Sequence, residues 1–192
     1  LKKEFPGIYL SIDTYRPEVA RKALETGADW INDVRGGIEN KGMWSLAAEK
    51  KVPYILMHNR GGIKKFHQPQ IYSDVALEVS EEISFQLAKA RKFGIVDVIV
   101  DPGFGFSKSG IQNFHLLNHL EQVHRLKSPV LVGISRKSMI YKTLEIQAED
   151  ALSGTIALNT IALLKGAHIL RVHDVKPAIQ TINLLNTLCL PE

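Results

Sequence analysis

Short runs rich in valine, isoleucine and leucine alternate with helical patterns along the whole chain, and this rhythm constrains the fold more than any other feature. The runs read as strands at residues 8–12, 30–34, 54–58, 98–101, 130–135 and 169–173. Helical stretches follow each of them, at residues 17–25, 43–51, 73–93, 113–126, 148–165 and 177–188. Strands separated by helices pair in parallel, and near-continuous apolar strands are buried on both faces. Gly27, Gly94 and Gly166 fall where helices close in a left-handed residue, Ser73-Asp74 offers an N-cap, and Pro17 suits a first helical turn.

Six units share 192 residues, about 32 each, so eight would need about 256, the usual length of a (β/α)₈ barrel. The predicted fold is therefore an α/β chain of the (β/α)8 TIM barrel class. It forms a single domain over residues 1–192, N-terminally incomplete, with the first two βα units absent. An open doubly wound sheet is the alternative architecture. With 45% apolar and 23% charged residues, disorder is excluded, and no apolar run approaches the roughly 18 residues of a membrane span. The single cysteine, Cys189, forms no internal disulfide, and no leader-like apolar segment opens the chain, so a cytoplasmic protein is expected. The 24 basic residues outnumber the 20 acidic ones slightly and are scattered, which favours a small anionic ligand over nucleic acid.

Every predicted strand ends in polar residues: Asp13; Asn32-Asp33; His58-Asn59-Arg60; Asp101; Ser135-Arg136-Lys137; and Arg171 with His173-Asp174. In a barrel all of these strand ends converge on one face and share one site, whereas outer strands of an open sheet could not contribute. Several have ordinary readings as well. Asp13 could cap a helix, Asn32 and Asp33 could turn the chain, His58 could be a satisfied core histidine, and Arg136-Lys137 could be a solvated pair. Arg171 and His173 stand two apart, on one face of a strand, and that pairing suits an anion. The stretch from Asp101 to Lys108 (DPGFGFSK) sets two aromatic residues on a glycine-rich loop, which lets backbone and rings approach a planar group.

Taken in order, Ser11-Ile12-Asp13-Thr14-Tyr15, Ile31-Asn32-Asp33-Val34, Met57-His58, Asp101 to Phe106, Gly133 to Ser138, Gly154-Thr155 and Arg171 to Val175 resemble the motifs of the dihydropteroate synthase family. The motifs look like those of its third to eighth barrel strands. The resemblance implies condensation of 6-hydroxymethyl-7,8-dihydropterin diphosphate with para-aminobenzoate, releasing diphosphate and giving 7,8-dihydropteroate. It implies that Asp13, Asn32, Asp101 and Lys137 hold the pterin, that Met57 packs near it and that Arg171 stacks over it. Arg171 and His173 would grip the diphosphate with Mg²⁺ (Mg2+), while Ser135 and Phe106 would face para-aminobenzoate; Lys137, Arg171 and His173 are the expected catalytic residues. No protein metal ligands are assigned.

The family's first-strand Asn-Val-Thr-Pro-Asp-Ser-Phe segment and the Ser-Thr-Arg loop after its second strand have no counterpart here, and Gly62-Ile63-Lys64 stands where a proline is common. A non-catalytic pterin-binding fragment and a pterin-dependent methyltransferase are the alternatives. An amidohydrolase is disfavoured because no His-x-His follows the first strand. The apolar segment 151–167 exceeds what one barrel wall can bury, so a homodimer built on the last two helices is expected.

Overall fold

The structure is a computed structural model and describes residues 1–35, 41–61 and 66–188. The Gly62-Ile63-Lys64 departure and Cys189 lie outside the described residues. The chain runs β1 (Ser11–Asp13), α1 (Pro17–Glu25), β2 (Trp30–Asp33), α2 (Lys41–Lys50), β3 (Tyr54–Met57), α3 (Val75–Lys92) and β4 (Val98–Asp101). It continues with α4 (Gly110–Asn118), α5 (Glu121–His124), β5 (Leu131–Val132), α6 (Ser138–Tyr141), a 3₁₀ turn (Ala148–Asp150), α7 (Leu152–Leu164), β6 (Ile169–Leu170) and α8 (Val175–Leu188).

All pairings are parallel: β1 to β4 lie in chain order, β5 pairs with β6, and a bridge between Val100 and Val130 joins the two sets. A flat sheet spaces its first and sixth strands about 24 Å apart, at roughly 4.8 Å per step. No side chain spans that gap. Yet the Arg171 Nη2, just past β6, donates to Asp13 Oδ2 at the end of β1 over 2.7 Å. The sheet therefore curls through its six strands until its two edges face one another. Among the described residues no ladder links β1 to β6.

Alternation along the strands divides the interior in two. Ile31, Tyr54, Leu56, Val98, Val100, Val130 and Val132 belong to the large core beneath the helices, with Ile12 and Leu170 packed on it. Their neighbours Ile55, Ile99 and Leu131 form a separate small cluster with Trp30 and Ile169. This second cluster plugs the concave side of the curled sheet. The next residue of the same parity on each strand is Asp13, Asn32, Met57, Asp101, Gly133 or Arg171, directly above that plug.

Several elements differ from the sequence expectation for local reasons. The first strand begins at Ser11, because Ile8 and Tyr9 lie outside the sheet and are exposed. The stretch expected as one helix over 113–126 breaks at His119-Leu120 into α4 and α5, with the start of α4 set by a capping box between Ser109 and Gln112. Helix α6 is too short to carry a periodic signal. The last two strands are two residues each, so Arg171 and His173 stand on the loop beyond β6 and not within the strand. Asp74 caps α3 by accepting from the Ala76 and Leu77 amides, and Gly27, Gly94 and Gly166 all have positive φ, as expected. Among the described residues, no helix is long and apolar enough to cross a membrane.

Candidate active site

A cavity of about 260 Å³ opens above the carboxyl ends of β4, β5 and β6, lined by Asp101, Gly133, Ser135, Lys137, Arg171, Val172 and His173. Asp101 ends β4 and is almost wholly buried. Its Oδ1 accepts the Gly103 amide at 2.7 Å, which folds the chain into a tight turn and fixes the carboxylate. Burial raises the Asp101 pKa above the usual carboxylate range, opposed by Lys137, the Gly103 amide, Lys108 and Arg171.

Lys137 reaches the cavity from beyond β5. Arg136 before it adopts a left-handed backbone, with φ of 53°, and the two side chains part company there. Arg136 turns away, making a bidentate pair with Asp174 at 2.8 and 2.9 Å and donating to the carbonyls of Ala148 and Glu149. Lys137 passes over Gly105, where a Cβ would meet its Cδ at 2.9 Å, donates to the Phe104 carbonyl, and lies 4.5 Å from the Phe106 ring centre. Burial lowers the Lys137 ammonium to about 8, with Asp101 opposing and Arg171 adding to the fall.

On the other side, Asp13 Oδ2 accepts both Arg171 and the Asn32 amide, the latter at 3.1 Å. Ser135 Oγ accepts the backbone amide of His173 at 3.2 Å, which joins the loops after β5 and β6. Gly133 faces Arg171, whose Cβ a side chain at that position would meet at 3.7 Å. Met57 is buried opposite Asp101 in the β3–β4 register. Phe106 meets Phe66 edge-to-face at 4.7 Å.

The cavity itself thus takes in Ser135, Lys137, Asp101, Arg171 and His173. Asp13 and Asn32 join it through Arg171, Phe106 through Lys137, and Met57 borders Asp101 without lining the cavity. Asp13 does not cap α1, whose N-cap is Arg16.

The expectation that all the strand-end polar residues share one site needs correction. Asp33 has the opposite parity and accepts the Tyr54 hydroxyl at 2.8 Å beneath the helices. His58 is the satisfied core histidine, bonded to Glu82 and Lys108, and Arg136 with Asp174 is a loop latch. Two supporting residues escaped the sequence reading. Asn113 on α4 accepts the Gly105 amide at 2.8 Å and donates to Ser109 O at 2.7 Å. Phe66 backs the Phe106 ring. Neither sits at a strand end, so no local pattern marked them.

Chemically, the site offers one buried carboxylate as acceptor, one ammonium of lowered basicity and a guanidinium beside a histidine. That set suits a flat heterocycle with a donor edge carrying an anionic group.

A family model described as pterin binding enzyme matches residues 1–173. The dihydropteroate synthase of Escherichia coli K12 is 39% identical over 180 residues, covering 93% of this chain and 64% of its own length. The chain thus spans less than two thirds of that relative. The Xanthomonas albilineans dihydropteroate synthase solved with 4-aminobenzoic acid superposes with a TM-score of 0.88 at 36% identity, covering 96% of this chain and 66% of its own. The Thermus thermophilus dihydropteroate synthase solved with 6HMPPP gives 0.87 at 36% identity, covering 95% and 71%.

Proposed function

The chain belongs to the pterin binding enzymes of the dihydropteroate synthase family, and from that premise we propose that it carries the site of a dihydropteroate synthase. It joins 6-hydroxymethyl-7,8-dihydropterin diphosphate to para-aminobenzoate, yielding 7,8-dihydropteroate and diphosphate. The observation that carries this reading is the pairing of Asp101 with Lys137 in one cavity that Arg171 and His173 also line. The six βα units are the third to eighth of an eight-unit barrel, in a single pterin-binding domain over residues 1–192. The curl that brings Arg171 to Asp13 supports this placement.

The pterin lies over the plug of Ile55, Ile99 and Leu131, its guanidine-like edge donating to Asp101 and its carbonyl side accepting from Lys137. Asp13 and Asn32 close the far edge, Met57 packs beneath, and Arg171 stacks over the ring. The carbon–oxygen bond to the diphosphate breaks first, leaving a methylene cation conjugated with the ring. Arg171 and His173 stabilise the departing charge. The amine of para-aminobenzoate, held by Ser135 and Phe106, then attacks and loses its proton. No residue forms a covalent bond, so the protein's part is orientation and electrostatics. Among the described residues no three His, Cys, Asp or Glu side chains cluster as a metal site. Mg²⁺ is proposed as a cofactor that would neutralise charge on the diphosphate; no residue of the described chain is assigned as its ligand, and no step above passes through it.

Exposed Leu164, Ile179, Leu184 and Leu188 on α7 and α8 support the homodimer, and sedimentation at tens of micromolar, giving twice the protomer mass, tests it. The reading carries with it a cytoplasmic location. The complete natural polypeptide, supplied with both substrates and Mg²⁺, should form dihydropteroate and diphosphate in equal amounts. Pterin binding without product would leave the non-catalytic binder as the correct reading. A methyltransferase accounts less well for Arg171 and His173, since methyl transfer releases no diphosphate.

A further inference from the structure

The loop from Asp101 to Lys108 ends in a lysine that the chemistry above does not use. Lys108 is 5% exposed, and its Nζ lies 3.1 Å from Gly103 O, 3.2 Å from Phe106 O and 3.0 Å from His58 Nδ1. The protonated amine has three N–H groups and here each has one acceptor, while burial, opposed by Asp101, lowers its pKa to about 7. To accept at Nδ1, His58 must be neutral with its proton on Nε2, and Glu82 Oε2 stands 2.9 Å from that nitrogen to receive it. Burial, with Lys108 adding, lowers the His58 pKa to about 4, which keeps the ring neutral. Burial raises Glu82, but the hydrogen bonds from His58 and Arg60 outweigh it and bring the carboxyl to about 2. Arg60 anchors the outer end on Glu82 and Glu78 and on the Ile71 carbonyl.

A relay of polar groups thus runs from half-exposed Glu82 on helix α3 inward, through buried His58 and Lys108, to the loop that carries Phe106. Backbone contacts follow the same path. Ser107 donates its amide to Phe66 O and accepts the Gln70 amide, both at 2.9 Å. Gly103 lies so close to β3 that a Cβ would sit 2.0 Å from the His58 carbonyl oxygen. Groups this completely satisfied hold a single geometry.

We propose that Lys108 is a positioning residue: oriented by His58 and Glu82, it clamps the two carbonyls that bracket Phe106 and so sets the wall against which the aromatic amine is placed. The proposal rests on the synthase reading for the identity of that amine. It assigns Lys108 no substrate contact. Asp101 is held by the β4 ladder and the Gly103 amide as well, so the pterin half of the site should feel the clamp only through Gly103 and the Lys108 charge, and less than the half that Phe106 walls.

The test uses Lys108→Ala in the complete natural polypeptide. The KM for para-aminobenzoate should rise about tenfold or more, the effect of losing hydrogen bonds from a buried amine, while pterin affinity falls by a clearly smaller factor. Propylamine, which replaces the missing atoms, should restore part of the lost affinity. An unchanged KM, or KM and pterin affinity weakening by the same factor, would overturn the proposal. If Lys108→Ala does not fold, His58→Leu removes the lysine's acceptor while His58→Asn keeps one near the Nδ1 position; the KM should rise in the first only, and equal values would overturn it. A reporter separates this from failure of the synthase reading. With Phe106→Trp in place, Lys108→Ala should shift the indole emission to the red and lower its anisotropy whether or not product forms. Unchanged emission would defeat the clamp even in an active enzyme.

Discussion

Asp101→Asn separates what the site binds from what the fold needs. The carboxylate is 6% exposed and spends one oxygen on the Gly103 amide, an interaction an asparagine carbonyl can keep. On the proposed function, what is lost is the charge offered to the pterin's donor edge. A hydrogen bond to a charged group contributes roughly 1.5–3 kcal/mol, so affinity for a pterin analogue should fall about 10- to 150-fold. Stability should move the other way or not at all. Burial raises this carboxyl's pKa in the folded protein, so ionisation costs the fold free energy, a cost that appears as pH rises through the ordinary carboxylate range. Asparagine carries no such cost. Calorimetric titration at pH 7 reads the affinity, and urea unfolding at pH 5 and pH 8 reads the stability. Affinity within about threefold of the unsubstituted protein would refute the assignment of Asp101 to the ligand. A large loss of stability with unchanged affinity would show that it serves only to fold the loop.

Lys137 should impose a falling limb on kcat/KM above about pH 8 as it loses its proton, and Lys137→Gln should lower the plateau and abolish the limb; a limb unchanged in that variant would assign the titration elsewhere. Gly103→Ala places a Cβ 2.0 Å from the His58 carbonyl in a backbone of φ +70°, so it should destabilise by about 2–4 kcal/mol in urea unfolding; less than about 1 kcal/mol would mean the loop lifts freely off β3. Tyr54→Phe removes the hydroxyl that bonds Asp33 and accepts from Trp44 Nε1 at 3.1 Å, leaving that buried donor without its acceptor; a loss of about 1–3 kcal/mol with unchanged pterin affinity is expected, and weakened binding would mean this network reaches the site.

The order of the elements and the candidate site were legible because parallel strands buried on both faces write themselves as apolar runs, and their last residues break the run with polarity. Length was less legible. A two-residue strand such as β5 continues smoothly into Gly133 and Ile134, and only hydrogen bonding shows where the ladder stops. Which of Asn32 and Asp33, or of Met57 and His58, faces the site was given by the family resemblance and not by the local pattern, since adjacent strand-end residues are told apart only when parity is fixed by knowing which face holds the plug. Arg136 and Lys137 show the same limit from another cause: a left-handed residue sends them in opposite directions, and arginine in that conformation has no sequence signature. Phe66 lies far along the chain from the Phe106 ring it backs, and Asn113, though only eight residues from Gly105, sits on a helix where nothing in the pattern marks it as a support for that loop.

Because the plug and the helix-side core use alternate residues of the same short strands, the fold has little tolerance for changes of chain length inside them. One residue inserted into β4 ahead of Val100 would turn the Asp101 carboxylate beneath the helices and bring Val100 into the cavity, and a deletion there would turn the carboxylate likewise and put Pro102 in its place. The loops carry no such alternation, and those after β5 and β6 are joined to one another by the latch of Arg136 with Asp174. Insertions and deletions among relatives should therefore gather in the segments after the strands, where they alter the rim of the cavity. The strands themselves should diverge by substitution alone, with the helix-facing positions free to exchange one aliphatic side chain for another while the ligand-facing ones stay fixed.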